Sequence, residues 1–129
     1  MSDNPVEKPS AAGPVVLNLD RALGRLLGNK ELLGWMVHQF RDEGPKGRQD
    51  LGDAIARKDL TATAYAAHRL RGQALAIEAV ALAEALDRIE RAAWKGDLAS
   101  LDALRVSSEV ELDRVLEALA TIPPPSSMR

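Results

Sequence analysis

Four stretches of this chain repeat apolar residues at helical spacing, and each is fenced by residues that start or stop a helix. Leu32, Leu33, Met36, Val37 and Phe40 share one face of a helix opening at Asn29 or Lys30. Gly44-Pro45-Lys46-Gly47 interrupts that pattern. Either the helix ends there and another begins at Pro45, or one long helix kinks and Leu51 and Ile55 carry its apolar face to Lys58. The next segment opens near Asp59, which stands where an N-cap belongs, and closes around Ala76 to Glu78. Val80 to Lys95 carries Leu82, Leu86, Ile89 and Ala93 as its stripe, and Gly96-Asp97 stops it. Leu98 to Ala120 carries Leu101, Leu104, Leu112, Val115, Leu116 and Leu119, with Ser107-Ser108 weakening its middle. A shorter helix, capped by Asn18 or Asp20, precedes them and stops at Gly28.

Short links between amphipathic helices favour antiparallel neighbours, and a bundle is the economical way to bury four stripes. The sequence therefore predicts an all-α fold: an antiparallel four-helix bundle over 15–122, with the short extra N-terminal helix capping one end. Residues 1–14, with Pro5, Pro9 and Pro14 among polar neighbours, are expected to be a flexible tail. Residues 123–129 form a Pro/Ser-rich tail; proline lacks the amide donor and clashes with the preceding turn, so no helix continues there.

Composition narrows the function. The chain has no cysteine, hence no disulfide framework and no thiolate metal site. Seventeen basic residues against 19 acidic ones give a net charge of −2, which argues against nucleic acid as a partner. No stretch approaches the ~18 apolar residues of a membrane helix, and no signal peptide is present, so a cytoplasmic protein is expected. No glycine-rich phosphate loop or carboxylate cluster points to ATP or to a metal.

The segment after Asp59 holds the chemistry. With His68 at angle zero and ~100° per residue, Thr63, Ala67, Leu70, Ala74 and Ile77 lie between about 180° and 260° and form the buried stripe. His68 then points outward. Its neighbours on the outer face are unusually apolar: Ala64, Gly72, Leu75 and Ala76. Gly72 costs ~1 kcal/mol relative to alanine in a helix interior, and clearance for a group approaching the imidazole is the reason favoured. His38 points to solvent on the same angular reading. Trp35 and Trp94 read most simply as core or core-rim residues.

His68-Arg69-Leu70-Arg71-Gly72 resembles the His-x-Leu-Lys-Gly signature of histidine-containing phosphotransfer (HPt) domains, four-helix-bundle carriers of multistep two-component relays. The resemblance extends over roughly residues 17 to 119, from Leu19-Asp20 through Asp59 and Ala66-Ala67-His68 to Gly96-Asp97. It implies that His68 accepts a phosphoryl group from a receiver aspartate and passes it to another receiver. A histidine side chain, with an ordinary pKa of ~6.5, suits this as a neutral nucleophile. Arg71 stands where the family has lysine and would stabilise the phosphoryl oxygens. Response-regulator receivers and a hybrid sensor histidine kinase are the implied partners, and a monomer is the family's usual state. No cofactor is expected on this chain; Mg2+ would sit on the receiver. Ala64, Tyr65, Leu75, Ala76, Glu90 and Trp94 are the expected docking residues. Glu90 is set level with His68 if the helix hairpin turns near Glu78, and is expected to fix the imidazole tautomer. Three positions depart from the family pattern: Arg71 for lysine, Leu75 for a small residue, and Glu78 for glycine. The last two are the marks of the alternative reading, a docking module of the same fold that binds a receiver or kinase without transfer. An unrelated helical interaction protein is the remaining rival.

Overall fold

A computed structural model describes residues 16–126. Among them all regular structure is helical: α1 Leu19–Arg25, α2 Lys30–Ala56, α3 Leu60–Ala76, α4 Val80–Lys95 and α5 Leu98–Leu119. The expected tail over 1–14 lies outside the described residues.

Local chemistry sets the boundaries. Asn18, Asn29, Asp59 and Asp97 each accept a hydrogen bond from the backbone N–H three residues on, satisfying a donor that the first helical turn leaves open. At the other ends, Gly28 and Gly96 take left-handed φ angles of 80° and 74°. Of the two readings left open at Gly44-Pro45, the continuous helix is the one found: α2 runs through Pro45 unbroken. Gly44 and Gly47 have a packing role. A Cβ on Gly44 would lie 3.2 Å from Phe40 Cε2 and 3.6 Å from Leu112 of α5. On Gly47 it would lie 3.0 Å from Leu70 of α3.

The four long helices close a ring in which α2 meets α3, α3 meets α4, α4 meets α5, and α5 returns to α2. Their inner faces carry Val37, Phe40, Leu51 and Ile55 of α2, Leu70 of α3, Leu82, Leu86 and Ile89 of α4, and Leu101, Leu112, Val115 and Leu119 of α5. Each such side chain, fully buried, contributes ~1.5–3 kcal/mol by leaving water. The polar exceptions are satisfied: Thr63 Oγ1 donates to Asp59 O at 2.8 Å, and Ser108 Oγ to Arg105 O at 2.8 Å. The α3–α4 pair is rich in buried alanine, with Ala64, Ala67 and Ala74 on one helix and Ala85, Ala92 and Ala93 on the other. Small side chains let two helices approach closely, so residues on the rim of one reach the rim of the next.

One expectation narrows and another needs correction. Trp94 is 61% exposed and Trp35 is also exposed, which excludes the core for both and leaves Trp94 the exposed docking place also expected of it. The one aromatic side chain in the bundle interior is Phe40, among Leu, Ile, Val and Ala. Residues 123–126 are not a loose tail. Pro125 is buried and its Cγ lies 3.3 Å from where a Gly34 Cβ would stand. Arg41 Nη1 donates to Ile122 O at 2.7 Å. Proline ends the helix, but it also supplies an apolar ring that packs into the gap Gly34 leaves on α2.

Candidate functional site

α3 lies between α2 and α4, with Thr63, Ala67, Leu70 and Ala74 turned inward. That orientation carries His68 to the outer face, where its side chain is 63% exposed. The antiparallel hairpin brings Glu90 of α4 alongside. His68 Nδ1 is 3.1 Å from Glu90 Oε2 and 3.3 Å from Oε1. The Glu90 side chain is only 17% exposed, so its carboxylate has little water to turn to. A carboxylate only accepts, and an unprotonated Nδ1 facing it would set lone pair against lone pair. With its proton on Nδ1 the ring donates to Glu90 and keeps the Nε2 lone pair free; with the proton on Nε2, Nδ1 would accept from Arg71 instead.

Arg71, one turn on, is drawn to the same carboxylate. Its Nη2 is 3.4 Å from Glu90 Oε1 and 3.3 Å from His68 Nδ1, and its Nε is buried without a hydrogen-bond partner. The guanidinium thus sits on the Nδ1 side of the imidazole and balances the charge of Glu90. Gly72 is exposed, and a Cβ built there meets nothing within 4 Å. No internal packing explains this glycine, in contrast to Gly44 and Gly47.

The other expected residues divide. Tyr65, Leu75 and Trp94 are exposed around His68, and Ala76 is half-buried. Ala76 lines a groove of about 110 Å³ between α2 and α3 with Met36, Gln39, Phe40, Glu43 and Gln73. Ala64 is a correction: it is 0% exposed and has no surface to offer a partner. α4 covers the flank of α3 that holds Arg71 and Ala64, so the buried arc reaches further round the helix than the apolar stripe suggests. His38 is half-buried, its ring edge-on to Trp35 at 6.2 Å between centroids. Among the described residues no three His, Cys, Asp or Glu side chains converge to hold a metal ion, and no helix is long and apolar enough to cross a membrane.

Sequence reasoning missed the surroundings of Glu78. This residue has a left-handed φ of 60°, and its carboxylate faces Arg21 and Arg25 of α1. The signal available was the non-glycine residue at an expected helix turn, together with two unassigned arginines four apart on a short helix.

The sequence model of the Hpt domain family matches residues 36–122, well over half of the chain. The crystal structure of histidine-containing phosphotransfer protein B from Pseudomonas aeruginosa PAO1 is similar, with a TM-score of 0.74 at 25% identity. That similarity covers 81% of this chain and 90% of the other. No curated protein matches the chain by sequence.

Proposed function

This chain belongs to the Hpt domain family of histidine phosphotransfer, and from that membership we propose that it is a phosphocarrier whose reacting atom is His68 Nε2. The observation that carries the assignment is the contact of Nδ1 with Glu90, which leaves Nε2 as the free, outward nucleophile. In the forward step the Nε2 lone pair forms a bond to the phosphorus of a receiver's aspartyl phosphate. The P–O bond to the aspartate breaks, and the aspartate leaves as a carboxylate. The Nδ1 proton stays on the ring, which becomes positively charged, and Glu90 stabilises that charge where it develops. Delivery to a second receiver reverses these steps.

Arg71 holds Glu90 in place before transfer. Once a phosphoryl group with its negative charge sits one turn away, it competes with Glu90 for the guanidinium through charge-assisted hydrogen bonds. Gly72 keeps the approach to Nε2 open, and Tyr65, Leu75, Ala76 and Trp94 supply apolar contact around it. A carrier must release one partner to serve the next, so the complex is small and short-lived. Mg2+ and the remaining catalytic groups come from the receiver, and the chain acts as a monomer in the cytoplasm between a hybrid sensor kinase and a response regulator. It has no ATP chemistry of its own. Transfer of label from a phosphorylated receiver to the wild-type chain, and not to His68→Gln, tests the reading.

A further inference from the structure

α1 has seven residues, too few to be stable alone, so something must hold it. Ala22, fully buried, and Leu19, packed on the core, hold its apolar side, and a polar tie holds its other side. Glu78, in the turn between α3 and α4, adopts the left-handed conformation at φ 60°, which Cβ sterics disfavour. Its side chain is 11% exposed and faces two cations of α1: Arg21 Nε lies 3.6 Å from Oε1 and Arg25 Nε 3.3 Å from Oε2. Arg25 Nη2 also donates to Leu75 O at 3.0 Å, a carbonyl near the end of α3 that accepts from Glu78 N as well. Asn18 N donates to Glu78 O at 3.3 Å. α1 is thereby tied to one turn at its N-cap, its first turn and its last. Glycine would suit the backbone angle better but would offer no carboxylate to the arginines.

The tie stands close to the reacting atom. Leu75 is seven residues from His68, about 10 Å along the helix. Weak, transient complexes bury less than about 1,200 Å² in total, hence about 600 Å² on each partner, a patch of roughly 14 Å radius. A receiver centred on His68 with the largest such patch therefore covers Leu75 and ends beside the Arg25 guanidinium bound to it.

We infer that Glu78 is a positioning residue for transfer: with Arg21 and Arg25 it latches α1 at the rim of the receiver footprint. This rests on the phosphocarrier reading. The latch sets how well a receiver docks and leaves the chemistry at His68 alone, and this separates it from a merely structural ion pair.

Three variants of the full chain test it. Glu78→Gln keeps size and backbone angle without the charge; Glu78→Gly frees the backbone; Glu78→Arg with Arg21→Glu and Arg25→Glu reverses the latch. Hydrogen exchange of α1 amides reads the tie. The KM for a receiver phosphorylated with acetyl phosphate reads docking, and labelling by phosphoramidate, which needs no docking, reads His68 itself. In both single variants α1 exchange and receiver KM rise about fivefold, the scale of one or two partly exposed ion pairs. Their kcat and phosphoramidate labelling stay as in wild type, α2–α5 remain protected, and charge reversal, which gives up the Arg25 bond to Leu75 O, restores both affected quantities in part. An α1 as protected as in wild type, a KM unmoved once α1 has loosened, or a reversal that restores neither, overturns the latch. A wild-type chain unlabelled by either donor overturns the carrier reading and the transfer role together, while exchange alone still decides whether Glu78 holds α1.

Discussion

Gly72 gives the account a prediction in which stability and activity move in opposite directions. A Cβ at this position meets nothing within 4 Å, so alanine adds no clash. It removes the backbone-entropy cost of glycine in a helix interior, a gain of ~0.8–1 kcal/mol. For a folded unit of this size that raises Tm by about 4 °C. Leucine, nearly as good a helix former, should give a similar rise. Side chains on a helix lean toward its N-terminus, so a residue at 72 leans over the turn that carries His68, with Cβ atoms about 5–6 Å apart. Transfer needs the reacting atoms within ~3–3.5 Å, and misplacement by about 1 Å costs on the order of 100-fold. Gly72→Leu should therefore melt higher yet accept phosphoryl from a receiver roughly 100-fold more slowly, with Gly72→Ala intermediate in rate. Thermal melts by circular dichroism and timed transfer from a phosphorylated receiver measure the two quantities. A Gly72→Leu protein that transfers at the wild-type rate refutes the clearance argument, and a Gly72→Ala protein that melts lower refutes the open-space reading.

Gly47 should respond with the opposite sign: Leu70 Cδ1 stands 3.0 Å from a Cβ there, so overpacking of ~1–3 kcal/mol outweighs the propensity gain and Gly47→Ala loses about 1 kcal/mol in denaturant melts. An unchanged midpoint would contradict this. Glu90→Ala should move the His68 proton off Nδ1, visible in long-range 1H–15N spectra of the imidazole, and slow transfer about tenfold or more, the scale of one hydrogen bond to a charged group. Wild-type spectra that already show the proton on Nε2 would remove Glu90 from its role.

How much of this was legible beforehand depends on what each residue answers to. Helix ends answer to local chemistry, so Asp59 and Gly96 marked them correctly, Asn18 is the cap of the two offered, and Asp97, read as part of a stop, caps the next helix. The outward angle of His68 followed from its own helix, and Glu90 followed from counting back across the hairpin turn. Ala64 did not, because one helix's stripe says nothing about how far its neighbour wraps around it; α4 covers that flank. Of core and core-rim, the two places open to the tryptophans, the structure excludes the core, because size and apolarity alone do not decide burial; the exposure of Trp94 suits the docking place expected of it. Pro125 on Gly34, and Glu78 between Arg21 and Arg25, join residues far apart in the chain. No periodicity within one segment encodes such pairs.

The central claim is that Nε2 of one exposed imidazole carries the phosphoryl group. The direct measurement is to incubate the chain with a phosphorylated receiver and locate the modification by tandem mass spectrometry under neutral conditions. The account predicts a single acid-labile, base-stable phosphoryl group on His68, absent from His68→Gln while that variant keeps its helical spectrum. A label that persists in the variant, or a wild-type chain left unmodified by every receiver of its source organism, would contradict it.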